Sequence, residues 1–263
     1  MDPYAPIAAG LRGLWHTLGV DVRPIGYHHI PAVGPAILAS NHIGYLDFSF
    51  VALAPPRPRR RVRFLARHDL FDGVVGTALR AMDQIPVDVH GDPVMAYAAA
   101  EAALARGEVL GIHPEGTISP SFVPRRGRTG AVRLAQASGA PIVPVAVWGS
   151  QRLLTKGQPR RLRPGVCVTV RYGAPWHPPA DQAPATATAT LMRLISDLLE
   201  VEQASYPQQP RGPRDRWWLP AHLGGTAPTP EDADRLLREQ VDARRRARLA
   251  QAGDPVSVEV DRA

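Results

Sequence analysis

Apolar residues along this chain fall into short blocks of two kinds, and the alternation of the two predicts the architecture. Compact apolar runs at Ala36 to Ala39, Val62 to Leu65, Ile85 to Val87, Val109 to Ile112 and Ile142 to Val147 have strand length and are rich in β-branched residues. Cys167 sits among Val166, Val168 and Val170 in another strand-like run, as a packing residue. Between these runs lie helical patterns. One, behind Asp92-Pro93, runs through "VMAYAAAEAALAR" to Gly107; a second covers Thr129 to Ser138 and stops at Gly139. A third carries the stripe Leu191, Leu194, Ile195, Leu198 and Leu199. The fold class expected is α/β, a mixed, largely parallel sheet flanked by helices.

The two ends of the chain read differently from its middle. Near the start, Ile7, Leu11, Leu14 and Leu18 mark one helical stripe that carries Trp15. That helix either docks on the protein, the commoner outcome, or lies in a lipid interface with Arg12 and Trp15 at headgroup level. From Pro207 to Pro230 the composition shifts to Pro, Gly and Arg, interrupted by Trp217-Trp218, which reads as a linker or extended arm. A last helix begins at Thr229-Pro230-Glu231-Asp232 and gathers Arg244, Arg245, Arg246 and Arg248 toward its end. The division expected is residues 1–206 as the main domain and 207–263 as a linker plus basic C-terminal helix.

Charge and composition narrow the partners. The 263 residues carry a net charge of +7, built from 30 Arg and the single Lys156 against 24 acidic residues. An anionic partner fits this balance, with an anionic membrane surface preferred and nucleic acid not expected. One cysteine excludes an internal disulfide. No apolar run reaches the length of a membrane span, and no basic segment leads into an apolar core at the start. A cytoplasmic protein, peripheral at the inner face of the plasma membrane, is the expectation.

Two stretches carry the candidate chemistry. In "LASNHIGYLDFSF" a strand ends at Asn41-His42, and Asp47 opens the next helical pattern. Sites of α/β folds lie outside the carboxyl ends of strands, so a turn here lets Asp47 orient one imidazole nitrogen while the other takes a proton. The spacing alone is weak, because His16 and Asp21 repeat it without the flanking strand and helix. In "VLGIHPEGTISPS" a second strand ends at His113, and Pro114 and Gly116 present Glu115 and Thr117 at the sheet edge. A mononuclear metal site of His42, Asp47, His113 and Glu115 would support a metal-dependent hydrolase, but no compact ligand pattern favours it and no metal is expected. A non-enzymatic protein binding anionic membrane or nucleic acid through its basic tail is a third reading.

Together these stretches resemble the glycerolipid acyltransferases related to bacterial 1-acylglycerol-3-phosphate acyltransferase. "NHIGYLD" is similar to their Asn-His-x4-Asp motif, and "HPEGTIS" to Phe-Pro-Glu-Gly-Thr-Arg-Ser. "FDGVVGTALRAMDQIPVD" is similar to the Gly-rich block between them, and "PIVPVAVWGS" to the fourth block. The resemblance covers about residues 22–175. It implies acyl transfer from a thioester, acyl-CoA or acyl carrier protein, to a hydroxyl of a lysophospholipid or lysophosphatidate, with no cofactor beyond that co-substrate. His42 would be the general base, Asp47 its partner, and Glu115, Gly116, Thr117 and Arg128 the acceptor side, with Asn41 and Pro114 structural. Two departures stand out: Val89 and Ile118 replace arginines that the family carries near the acceptor's phosphate. Arg128, Arg125, Arg126 and His90 lie close in sequence as substitutes; without them, a glycolipid or other non-phosphate hydroxyl becomes the acceptor.

Overall fold

A computed structural model describes residues 3–55, 60–88, 94–159 and 163–252. The elements run α1 (Tyr4–Thr17), β1 (Asp21–Ile25), β2 (Ala36–Ser40), α2 (Asp47–Leu53), β3 (Val62–Arg67), α3 (Gly73–Ala81) and β4 (Ile85–Val87). They continue with α4 (Val94–Ala105), β5 (Val109–Ile112), α5 (Gly130–Ser138), β6 (Ile142–Trp148), β7 (Cys167–Tyr172), α6 (Pro184–Ala204) and α7 (Pro230–Ala252). The seven strands form one sheet in the order β1-β7-β6-β2-β5-β3-β4. Strands β6, β2, β5, β3 and β4 are parallel; β7 is antiparallel to β6, and β1 pairs with β7 in parallel. The expected mixed, largely parallel sheet is what the chain forms.

Both faces of the sheet are covered, which is why the inner strands read as unbroken apolar runs and not as alternating ones. Along β2, Ala36 and Leu38 face α1 and α2, whereas Ile37 and Ala39 face α4, α5 and α6. Strand β1 has no such run. As an edge strand it tolerates Pro24 and is nowhere fully buried, so its sequence "DVRPI" carries no strand signature. The Asp92-Pro93 cap lies outside the described residues. Where α5 ends, Gly139 takes the left-handed conformation as expected.

Helix α1 docks on the protein. Its buried residues are Tyr4, Ala8 and Trp15, not the Leu14 end of the expected stripe, since Leu14 is exposed. Trp15 stacks on Phe50 with ring centroids 4.5 Å apart. Arg12 donates to the carbonyl of Leu53 at 2.9 Å, occupying the free carbonyls that end α2. The headgroup placement of Arg12 and Trp15 is therefore overturned, because both side chains are committed to α2.

The stretch 207–230, which reads as a linker, packs instead of extending. Trp218 is 1% exposed and lies with Trp148, Cys167, Tyr206 and Ala227 in a third apolar cluster. The Arg152 guanidinium stands 4.4 Å over the Trp218 ring, and Tyr206 meets that ring edge-on. Helix α7 follows. The Thr229 hydroxyl caps it by accepting from the Asp232 N–H, Ala233 and Leu237 are buried, and Asp234 pairs with Arg125 at 2.7 Å. Its arginines at 244, 245, 246 and 248 gather toward its end, as expected, and Arg245 and Arg246 are exposed. No helix among the described residues is long and apolar enough to cross a membrane.

Candidate active site

Strands β2, β5 and β6 are adjacent and parallel, so their carboxyl ends open on one edge of the sheet. The loops leaving these three strands converge there: Asn41-His42 after β2, His113 to Thr117 after β5, and Gly149-Ser150 after β6. Asn41 is sealed in the interior, where its carboxamide accepts from the Val147 N–H at 2.7 Å and donates to the Val147 carbonyl at 2.9 Å. It thereby continues the β2–β6 ladder past the last backbone pair and sets where His42 emerges.

His42 and Asp47 meet. The imidazole Nδ1 lies 3.0 Å from Asp47 Oδ2, and the same oxygen accepts the N–H groups of Ile43 at 2.7 Å and Gly44 at 2.8 Å. The other oxygen accepts the hydroxyl of Ser150. Burial by itself pushes this carboxyl upward, but the hydrogen bond and charge of His42, with the Ser150 hydroxyl, hold it below the usual carboxylate range. An ionised Asp47 only accepts, so the proton on the shared bond belongs to Nδ1 and the Nε2 lone pair is left over. Asp47 is 0% exposed, while the His42 side chain is 20% exposed. The pair is thus a buried anion holding an imidazole that reaches the surface.

Glu115, expected on the acceptor side, is held by the backbone of two loops. It is 3% exposed, and its two oxygens accept the N–H groups of His42 at 2.8 Å and Arg125 at 3.0 Å. Burial pushes its pKa up to about 8, against those two N–H groups, which pull it down. It ties the loop after β2 to the loop before α5 and does not line an outer surface. Gly116 does: it is exposed, has φ +67°, and a Cβ there would lie 2.9 Å from Arg128 Nε. The Arg128 guanidinium therefore lies against the Glu-Gly-Thr turn, and the residue's backbone N–H donates to the Pro114 carbonyl at 2.8 Å. Thr117 is half-buried beside it, Pro114 is buried, and Ile118, where the family carries Arg, is buried as well.

The other substitute cations are placed elsewhere. Arg125 is paired with Asp234, and with Arg126 and Arg193 it borders a groove of about 400 Å³ over Thr188 and Met192. Val89 and His90 lie outside the described residues. Residues that reasoning from sequence passes over are Ser150 and Ser40, and it weighs His113 only as a strand end and a metal ligand. His113 Nδ1 is hydrogen-bonded to Ser40 Oγ at 2.9 Å, and its ring stacks on His42 with centroids 4.1 Å apart and planes 5° apart. The available signal was position: each is a polar residue within two positions of the end of a central parallel strand. Face-stacked imidazoles, and a Glu115 whose oxygens are both taken by backbone N–H groups, offer a cation no shared centre. Among the described residues no three His, Cys, Asp or Glu side chains gather as metal ligands.

Comparison with known proteins bears on this geometry. A family model described as Acyltransferase matches residues 21–148, which include His42, Asp47 and the 113–117 turn. The chain is 26% identical over 186 residues to the 1-acyl-sn-glycerol-3-phosphate acyltransferase of Bacillus subtilis, covering 69% of this chain and 90% of that protein. It is 28% identical over 155 residues to the 1-acyl-sn-glycerol-3-phosphate acyltransferase alpha of Mus musculus, covering 58% of this chain and 54% of that longer protein. Among solved structures, the 1-acyl-sn-glycerophosphate acyltransferase PlsC of Thermotoga maritima superimposes with a TM-score of 0.67 at 21% identity. That match covers 78% of this chain and 81% of the other.

Proposed function

We propose that this chain, whose residues 21–148 match the Acyltransferase family model, moves a fatty acyl group from a thioester, acyl-CoA or acyl carrier protein, to a hydroxyl of a lysophospholipid or lysophosphatidate. The observation that carries the reading is the His42–Asp47 pair: Nδ1 is held by a buried carboxylate while the imidazole reaches the surface at the strand ends. In the proposed reaction Nε2 takes the acceptor's hydroxyl proton as that oxygen attacks the thioester carbonyl. The C–S bond then breaks, and the departing thiolate takes the proton back from the imidazolium. Asp47 stabilises the transient cation at Nδ1 throughout. No acyl-enzyme, metal or resident cofactor enters this scheme.

Arg128 is the cation that supports a phosphate-bearing acceptor. Its guanidinium lies against Gly116, within the turn that the family uses on the acceptor side, and a planar fork suits phosphate oxygens. With Ile118 buried, Arg128 supplies the charge that the usual arginine would have brought. The 1-acyl-sn-glycerol-3-phosphate named for the bacterial relative is the acceptor class this reading prefers. A non-phosphate hydroxyl is the competing acceptor, favoured by the two missing arginines. The proposed place of work is the cytoplasmic face of the membrane, with exposed Arg245 and Arg246 toward anionic lipid.

The test is an acyl-transfer assay with labelled acyl-CoA and a panel of lysolipids with and without phosphate, using wild type, His42→Ala and Arg128→Gln. The expected result is loss of about 10²- to 10⁴-fold in turnover for His42→Ala. Arg128→Gln should raise KM for phosphate-bearing acceptors alone. Equal product from wild type and His42→Ala would remove the proposed base.

A further inference from the structure

The His42–Asp47 hydrogen bond leaves a geometric problem. The covalent bond to Cβ and the hydrogen bond at Nδ1 fix one edge of the ring, which leaves a tilt of the plane about that edge that sweeps Nε2 through an arc. Proton transfer is sensitive to such an error, because a misplacement of about 1 Å in a reacting group can cost about 10²-fold in rate. Something has to fix the plane as well as the edge.

A stack of rings reaches the face of His42. His113 lies on it with centroids 4.1 Å apart and planes 5° apart, and Phe64 tilts against His113 at 5.3 Å. The stack is built into the sheet. His113 comes directly after the last residue of β5, Ser40 is the last residue of β2, and its hydroxyl bonds His113 Nδ1 at 2.9 Å. Gly111 makes room for Phe64, since a Cβ there would stand 2.4 Å from that ring. His113 Nε2 is closed off from solvent, so this nitrogen is not placed to exchange a proton with an acceptor. Enclosure, and then the neighbouring His42, hold His113 far below the ordinary histidine range, so a neutral ring faces the imidazolium formed during transfer.

We infer that His113 is a positioning residue for His42, whose stacked ring fixes the imidazole plane and with it the aim of Nε2 at the acceptor hydroxyl. The inference rests on His42 being the base. It also accounts for the flat residue at this position, where the related motif has Phe: what the site needs there is a planar face. Here the imidazole adds a hydrogen bond to Ser40 that stops the stacked ring from turning.

Two variants separate plane from volume. His113→Leu fills the space without a flat face, and His113→Phe restores the face without the nitrogens. In steady-state acyl transfer, with folding checked by thermal unfolding, His113→Leu should lose about 10- to 100-fold in kcat with KM for both substrates within about twofold. His113→Phe should recover to within about fivefold of wild type. Wild-type kcat in His113→Leu would overturn the inference, as would His113→Phe being as slow as His113→Leu or the loss appearing in KM. His42→Ala is run alongside. Retained turnover there removes the base itself, a failure distinct from a missing contrast between Leu and Phe.

Discussion

Replacing Asp47 by asparagine isolates the charge of the proposed pair from its geometry. Asp47 accepts from the His42 ring, from the N–H groups of Ile43 and Gly44, and from Ser150. An asparagine oxygen in the Oδ2 position keeps the first three bonds, and its amide can donate to Ser150 once that hydroxyl rotates. The fold should survive, with a stability loss of about 1–3 kcal/mol, because bonds to an ionised acceptor are roughly twice as strong as neutral ones. Alanine would be uninformative: it orphans buried donors at about 1–3 kcal/mol each, against a total stability of about 5–15 kcal/mol.

Catalysis should suffer more. When His42 becomes an imidazolium, an opposite charge about 4 Å away is worth about 4 kcal/mol at an effective dielectric constant of about 20. Since about 1.4 kcal/mol corresponds to tenfold, Asp47→Asn should lower kcat by about 10²- to 10³-fold with KM little changed. Initial rates at saturating donor and acceptor, beside a melting curve, measure both effects. Turnover within threefold of wild type would refute the proposed role. The pH dependence of stability has a definite sign as well. The folded carboxyl is held below its ordinary 3.8, so its stabilisation is present above that value and is lost as pH falls through the folded pKa. The stability gap between wild type and Asp47→Asn should therefore close in acid.

Glu115, Asn41 and Trp218 give three further expected outcomes. Glu115 titrates in the folded protein near 8 instead of 4.5, so the stability it lends is full below 4.5 and lost as pH rises through about 8. Glu115→Gln should flatten the fall of unfolding free energy across that window, by at most about 5 kcal/mol at about 1.4 kcal/mol per pH unit; an unchanged slope would mean the carboxyl titrates normally. Asn41→Ala leaves the Val147 N–H and carbonyl without side-chain partners in the interior and should cost about 2–4 kcal/mol in urea unfolding. Trp218→Ala should cost about 3–5 kcal/mol, and no loss would restore 207–230 to the status of a dispensable linker.

The membrane question changes once α1 is seen to be docked. Arg12 and Trp15 are spent on α2, so an interfacial role for them has no free side chains left. The exposed arginines of α7 remain, while Leu237 and Ala233 of that helix pack inward and Asp234 holds Arg125. That helix is joined to the same body as the candidate site.

Local pattern by itself determined the inner strands, the stop of α5 at Gly139, the position of His42 and Asp47 at a strand end, and the turn at Gly116. Each is legible because its cause is local: burial on both faces makes a strand uniformly apolar, and a left-handed φ calls for glycine. Edge strand β1 left no such trace, having little to bury. Only the tertiary structure decided which side chains share a space. Ser150 reaches Asp47 across 103 positions of chain, Ser40 bonds His113 across 73, and both contacts exist only because the parallel order β6-β2-β5 brings three strand ends side by side. The same order turned Glu115 inward and laid His113 flat on His42, while packing against Trp148, Cys167 and Tyr206 holds Trp218 within a stretch rich in proline and arginine. Such outcomes depend on which surfaces meet, a property of the packed chain that no window of residues contains.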